Sequence, residues 1–154
     1  MSLSTTALHG LHEELGGRLV DFAGWELPVQ FAGIIAEHQH TRKSASLFDV
    51  SHMGQVLIYP ESGNLADAAA ALETLIPASV AGLKEGRQRY GLFTDENGGI
   101  LDDLMFAHHG DRYFLVVNAA RSDHDLGLLR TLEGVTVEHI TDRSLLALQG
   151  PRAE

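Results

Sequence analysis

Two adjacent carboxylates interrupt an apolar segment, NGGILDDLMF, at residues 97–106. If residues 100–106 form a β-strand, successive side chains alternate between faces, and Asp102 and Asp103 point to opposite sides of the sheet. One of them then points inward, where an unpaired carboxylate is strongly disfavoured. The residues alone leave two interpretations open. Either the strand lies at an edge and one aspartate caps the preceding ENGG turn, or one carboxylate faces a cavity and meets a polar ligand.

The remaining candidate residues, histidine pairs and a glycine pair, are weaker indications of a metal or phosphate site. His38 and His40 diverge on a predicted helix, and His108 and His109 point to opposite faces of a predicted strand. No third or fourth protein ligand occurs at a spacing typical of metal sites, so we expect no metal site. Gly98-Gly99 precedes a strand, whereas a phosphate-binding glycine loop precedes a helix, so these glycines are assigned to a hairpin turn.

Composition restricts the class of protein. The chain has 154 residues, of which 44% are hydrophobic and 21% charged, as in an ordinary soluble domain. It contains no cysteine, and its net charge of -10 argues against nucleic acid and anionic membranes as partners. No segment is apolar enough for a signal peptide or a membrane span, so we expect a cytoplasmic protein.

The first half of the chain predicts three helices around two extended segments. Asn64 is a candidate N-cap for the strongest of these helices, and Pro77 follows its end. Leu8, Leu11 and Leu15 would form the buried side of the first helix. The predicted segments are a helix at 5–15, an extended segment at 18–24, a loop at 25–33, a helix at 33–46, a turn at 48–54, a strand at 55–59 and a helix at 64–76.

The second half predicts mainly β-structure. Strands at 89–95, 100–109 and 112–118 are separated by tight turns and predict an antiparallel meander. A helix at 122–132 follows, with Ser122 as its candidate cap and Gly134 as its stop, and strands are predicted at 135–140 and 144–149. Because strands and helices do not alternate regularly, the fold class is predicted as α+β, a meander with packed helices.

The final residues, LLALQGPRAE, run from an apolar strand through Gly-Pro into an apparent helix start. A complete domain seldom stops where a new element begins. We therefore expect residues 1–154 to form a single amino-terminal domain of a longer chain.

Five segments together resemble the amino-terminal part of the aminomethyltransferase family, the T-protein of the glycine cleavage system. Each segment alone would be weak, but they occur in order over nearly the whole chain. They are FAGWELPVQF, FDVSHMGQ, NGGILDDLM, LVVNAA and LLALQGPRA. The resemblance implies the first domain of a multi-domain, folate-dependent enzyme. It also implies transfer of a one-carbon unit from aminomethyl-lipoyl H-protein to tetrahydrofolate, releasing ammonia and giving 5,10-methylenetetrahydrofolate.

The resemblance also implies the site. Its catalytic aspartate maps onto Asp103, and its folate contacts map onto Asp103, Met53, Tyr90 and Asn118. These residue types suit the chemistry, because a fixed carboxylate stabilises a developing cation and an aromatic ring packs on a flat heterocycle. Whether Asp103 also acts as a base is left open. Without the resemblance, Met53 and Tyr90 would be assigned to packing, and Asn118 to a helix cap or turn.

Other functions stay open at this stage. A relative could accept one-carbon units from methylated amines or sulfonium compounds, a related module could bind folate without turnover, or this piece could be inactive alone. The lipoylated H-protein is the implied partner. Because H-proteins are generally acidic and this chain is too, docking would need a local basic patch. Arg42-Lys43 and the cluster Lys84, Arg87 and Arg89 are the candidates.

Overall fold

The computed structural model describes residues 2–154, which divide into two compact units. The first unit contains residues 2–52 and 142–154, and the second contains residues 53–141. Both combine helices with antiparallel strand pairs, so the α+β prediction is confirmed. No helix in the described part of the chain is long and apolar enough to cross a membrane.

The first unit is built from two separate strand pairs and two short helices. Each strand pair is antiparallel. The elements are α1 (His9–Glu14), the paired β1 (Leu19–Phe22) and β2 (Trp25–Pro28), α2 (Ile34–Lys43), and β3 (Ser46–Asp49) paired with β9 (Leu146–Gln149).

Two predictions of irregular structure in this unit are wrong. The loop predicted at 25–33 begins with β2, because Ala23 and Gly24 take positive φ values of 53° and 83° and close a tight hairpin with β1. Pro28 is tolerated because it lies at the last position of the strand. The turn predicted at 48–54 is shorter, because its first residues belong to β3, whose partner strand lies about a hundred residues away in the sequence.

The predicted buried side of the first helix is also wrong. The buried residue of α1 is His12, whereas Leu11 and Leu15 are 45% and 61% exposed. His12 is accommodated because its Nε2 lies 3.4 Å from a carboxylate oxygen of Asp49. α2 has no buried residue, and its sequence, IIAEHQHTRK, is mainly polar.

The second unit contains one five-stranded antiparallel sheet and two α-helices. The elements are β4 (Gly54–Pro60), α3 (Leu65–Glu73), β5 (Gln88–Thr94), β6 (Ile100–His108), β7 (Tyr113–Val117), a 3-10 turn (Ala119–Arg121), α4 (Ser122–Leu129) and β8 (Val135–Ile140). The strand order is β5-β6-β7-β4-β8, and its first three strands confirm the predicted meander.

Of the residues predicted to cap or end the helices of this unit, Asn64 is confirmed, whereas Ser122 and Gly134 are wrong. The Asn64 side chain accepts a hydrogen bond from the backbone N–H of Ala66, so its cap is confirmed. Ser122 is the first residue of α4 and caps nothing, because a 3-10 turn leads directly into that helix. Gly134, with a φ of 71°, lies in the turn before β8 and does not end α4, which stops at Leu129.

One face of the sheet packs against α3 and α4 and forms the core. Burial of its apolar side chains supplies the main stabilisation of the unit. The buried residues include Val56, Ile58, Ala69, Leu72, Phe93, Leu104, Phe106, Leu115, Val117, Leu126 and Leu129. On the opposite side, the residues we call the outer face are exposed or half-buried; they are Tyr90, Leu92, Asp103, Met105 and Val116.

Phe106→Ala tests the position of this core. Because Phe106 is fully buried in β6, we expect the truncation to lower the free energy of unfolding by about 3 to 5 kcal/mol in urea titration. Ile100→Ala in the same strand is the control, since Ile100 is 68% exposed and should change stability little. Equal losses for both variants would contradict this assignment of faces.

Candidate functional site

The sheet register brings three of the four predicted site residues to one end of adjacent strands. Leu104 of β6 pairs with Val117 of β7, and Val117 pairs with Gly54 of β4. Asp103 precedes the first of these residues, Asn118 follows the second and Met53 precedes the third. Because neighbouring strands run antiparallel, Asp103, Asn118 and Met53 all lie at the same end of the three strands, next to these paired residues.

Tyr90 shares the face of Asp103. In β5, Leu92 pairs with Asp103 and Tyr90 pairs with Met105, so Tyr90 is the diagonal neighbour of Asp103. Tyr90 is 58% exposed. Loss of hydration, followed by a hydrogen bond to the Asp103 carboxylate, raises the pKa of the Tyr90 hydroxyl. An aromatic ring and a carboxylate are thus presented side by side on the outer face.

The two adjacent aspartates lie in different surroundings. Asp103 lies on the outer face, while Asp102 pairs with the buried Phe93 on the face that carries the core. The ladder between β5 and β6 is irregular next to this point, where the register shifts between Phe93 and Thr94. The alternation expected from the sequence therefore holds at the aspartate pair, and Asp102 is the carboxylate that needs internal partners.

Asn118 links the two carboxylates. Its Nδ2 lies 3.1 Å from Asp102 Oδ1, 3.0 Å from Asp103 Oδ1 and 3.2 Å from the Asp103 carbonyl oxygen. Although Asn118 occupies the N-cap position of the 3-10 turn, its side chain makes no cap hydrogen bond. The amide is instead the donor that allows two carboxylates to lie close together.

Asp102 has further donors. The backbone N–H of Asp103 donates to Asp102 Oδ1 at 2.9 Å. Burial acts to raise the pKa of the Asp102 carboxyl, but the hydrogen bonds from Asp103, Asn118 and Asp125, together with the charge of Arg121, outweigh it and lower that pKa. Asp102 is therefore held as a carboxylate.

Asp125 is a member of this group that the sequence reasoning missed. It lies on α4, is fully buried, and accepts a hydrogen bond at Oδ1 from His124 Nδ1 at 3.0 Å. Burial, and to a smaller extent its hydrogen bond with Asp102, raise the pKa of Asp125 to about 6 despite the opposing effect of His124. The available signal was its spacing, because it shares the apolar stripe of the predicted helix with Leu129.

Met53 lies next to this group because it directly precedes β4. It is half-buried and directly precedes Gly54, where an added Cβ would lie 2.6 Å from Val117 Cγ2 and 2.7 Å from Ser122 Oγ. Only glycine permits this close approach of β4 to β7 and α4. The close packing therefore fixes the start of β4, and with it the position of Met53.

The site contains no arrangement of metal ligands. Within residues 2–154, no group of three or more histidine, cysteine, aspartate or glutamate side chains could hold a metal ion. The acidic residues of the site instead accept hydrogen bonds from the Asn118 amide, the backbone N–H of Asp103 and the His124 ring. What the outer face offers a ligand is a half-buried carboxylate, an exposed aromatic ring and half-buried apolar side chains.

Comparison with known proteins identifies the family. Residues 8–154 match the family described as the GCVT N-terminal domain. The chain belongs to this family. The resemblance inferred from the five sequence segments is therefore confirmed.

Individual relatives extend this GCVT N-terminal domain assignment. The aminomethyltransferase of Bacillus subtilis strain 168 is 43% identical over 156 residues, which cover 99% of this chain and 42% of that protein. The mitochondrial aminomethyltransferase of Dictyostelium discoideum is 40% identical over 163 residues, covering 99% of this chain and 39% of that protein.

A solved structure agrees with these relatives. The glycine cleavage system aminomethyltransferase T of Bartonella henselae aligns with a TM-score of 0.87 at 38% identity, covering 99% of this chain and 42% of its own. The chain thus spans about two fifths of the length of the proteins that it matches. The roles of Met53, Tyr90, Asp103 and Asn118 remain predictions, although the fold places Tyr90 and Asp103 on paired strands and Met53 and Asn118 directly next to the ends of neighbouring strands.

Replacing Asn118 tests its part in holding the carboxylates. Asn118→Ala should cost about 2 to 3 kcal/mol of unfolding free energy at pH 7, since a hydrogen bond to a charged group contributes about 1.5 to 3 kcal/mol. Asn118→Asp, which is nearly isosteric, should cost more, because it adds a third negative charge. Near pH 4, protonation of the carboxylates should reduce the difference in unfolding free energy between the two variants. Urea titrations at both pH values measure this, and equal losses for the two variants at pH 7 would contradict the assignment.

Proposed function

We propose that this chain forms the folate-binding, amino-terminal part of a cytoplasmic aminomethyltransferase of the glycine cleavage system. The reaction takes the aminomethyl group from the lipoyl arm of H-protein and transfers its one-carbon unit to tetrahydrofolate. Ammonia is released, and the products are 5,10-methylenetetrahydrofolate and dihydrolipoyl H-protein. The family membership and the names of the relatives support this choice over a demethylase or a non-catalytic module.

The carboxylate of Asp103 is the single observation that carries the proposal. It lies half-buried on the outer face, beside the Tyr90 hydroxyl and 3.0 Å from the Asn118 amide. A carboxylate fixed in this way can stabilise the positive charge that develops on the one-carbon unit during transfer. It needs no reorganisation at that moment, because the amide already holds it in place.

The surrounding residues fit tetrahydrofolate, whose ring nitrogens accept the one-carbon unit. A flat heterocycle with N–H donors is matched by an exposed aromatic ring next to a carboxylate acceptor. Leu92, Met105 and Val116 add half-buried apolar surface on the same face, and Met53 adds an adaptable thioether at its margin. We propose that Tyr90 and Met53 pack on the ring and that Asp103 and Asn118 contact its polar edge.

Asp103→Asn tests this folate assignment. The substitution removes the charge but keeps the shape, so we expect tetrahydrofolate affinity of the 154-residue chain to fall roughly 10- to 100-fold in calorimetry. Asp111→Asn is the matched control, since the Asp111 side chain is 75% exposed and pairs with Arg112 in a turn. No binding by the wild-type chain, or equal affinity of both variants, would contradict the proposal.

The basic cluster of Lys84, Arg87 and Arg89 is our proposed contact for the acidic H-protein. All three residues are exposed, and the backbone N–H of Arg87 donates to the Lys84 carbonyl at 3.1 Å. The Arg89 guanidinium donates to the Ser79 carbonyl at 2.9 Å, which fixes its position. The cluster therefore presents positive charge locally on a chain whose net charge is -10.

Charge reversal tests this contact. The double variant Lys84→Glu and Arg87→Glu should weaken binding of lipoylated H-protein at least threefold and reduce its salt dependence, measured by biolayer interferometry. The double variant Arg42→Glu and Lys43→Glu makes the same change in net charge and should have a smaller effect. If both pairs weaken binding equally, bulk charge explains the result and the cluster has no special role.

A further inference from the structure

The buried Asp125 has an unusual set of partners. Its side chain is fully excluded from water between Leu126 and Leu129, which are also buried. His124 donates to Oδ1, but Oδ2 has no donor among the described residues. The same is true of Asp102 Oδ2, which is also buried. Each of these two carboxyl groups therefore has one buried oxygen without a hydrogen-bond partner within residues 2–154.

One proton satisfies both oxygens. Each of the two carboxyl groups shifts the pKa of the other, and a hydrogen bond between the two unpartnered oxygens can form only if one carboxyl is protonated. The proton belongs on Asp125, because Asp102 Oδ1 already accepts from the Asp103 N–H and the Asn118 amide. The pKa directions agree, since burial raises that of Asp125 while hydrogen bonds lower that of Asp102.

The bond has a consequence for the outer face. Asp102 holds the Asn118 amide at 3.1 Å, and the same amide holds the Asp103 carboxylate at 3.0 Å. Asp125 therefore lies at the start of a chain of hydrogen bonds that passes through the sheet and ends at Asp103. Asp125 itself lies on the core side of the sheet and does not reach the outer face.

We propose that Asp125 and Asp102 share one proton, and that Asp125 is thereby the positioning residue that fixes Asp102, the Asn118 amide and, through them, the Asp103 carboxylate. This inference deepens the proposed function, because it rests on Asp103 as the carboxylate that meets folate. Loss of the shared proton places two negative charges against each other in the core, and the geometry of Asn118 then loosens.

The charged groups around the pair set the direction of its pH dependence. Asp103 lies beside it on β6, Arg121 faces Asp102 from the 3-10 turn, and His124 contacts Asp125 on α4. Since the pKa of Asp125 is raised to about 6, the proton is bound below that pH and released above it. Folate affinity should accordingly fall as the pH rises through this range.

The test is carboxyl ¹³C NMR of the 154-residue chain between pH 4 and pH 8. We expect Asp125 to titrate near pH 6, and the side-chain amide signals of Asn118 to move with the same midpoint. Asp125→Asn should abolish this movement and hold the Asn118 signals at their low-pH positions, because the introduced amide donates to Asp102 at every pH. His124→Gln should retain the transition at a higher pH, since the hydrogen bond from His124 lowers the pKa of Asp125. Asp123→Asn, at an exposed position of α4, should change nothing.

Measuring tetrahydrofolate binding by Asp125 variants distinguishes a failure of this inference from a failure of the proposed function. Asp125→Leu removes the donor and should weaken tetrahydrofolate binding about tenfold at pH 5.5, whereas Asp125→Asn should keep wild-type affinity with a flat pH profile. An Asp125 titration below pH 4.5, unmoved Asn118 signals, or equal affinities for the Leu and Asn variants would overturn the inference. A coupled titration without any folate binding would support the shared proton and refute the proposed function.

Discussion

The structure of the site depends on one interaction, the contact of a single amide with two neighbouring carboxylates. Adjacent residues of a strand point to opposite faces, so Asp102 and Asp103 could not share a ligand through their own geometry. Asn118 overcomes this because it follows the partner strand at the level of the pair and donates to both. A charge on the core side and a charge on the outer face are thereby held by one donor, and the position of each depends on the other.

This arrangement explains how an acidic chain tolerates three aspartates close together. Asp103 is partly hydrated on the outer face, Asp102 is held by donors, and Asp125 is buried and carries a raised pKa. The environments of Asp102 and Asp125 shift the pKa values of the two carboxyl groups in opposite directions. The outer carboxylate is left with a fixed charge beside an aromatic ring, which is the property that the proposed folate chemistry requires.

Much of this was predictable from sequence, for identifiable reasons. The meander and the opposite facing of the aspartates follow from period-two alternation and turn residues, and the helix at 64–76 follows from its Asn64 cap and the proline after its end; all of these are local signals. The strand at Ser46–Asp49 was missed because its partner, Leu146–Gln149, lies at the other end of the chain. Asp125 was missed because a charged residue on a helix is normally assigned to the solvent side, although it shares a helix face with Leu129 and the structure shows it buried. Met53, Tyr90 and Asn118 were selected by resemblance, and the residues alone would have been assigned to packing and capping.

The central claim is that the outer face of the five-stranded sheet receives tetrahydrofolate beside Asp103. The chain has three methionines, of which Met105 lies on this face and Met53 directly precedes β4, at the end of the sheet where Asp103 and Asn118 lie; both are half-buried. The most direct measurement is therefore ¹³C-methyl NMR of methionine-labelled chain during titration with tetrahydrofolate. We predict saturable shifts of the Met53 and Met105 methyl signals, with Asp103→Asn raising the ligand concentration needed. Saturable binding that leaves both signals unmoved would contradict the account, because folate would then bind elsewhere.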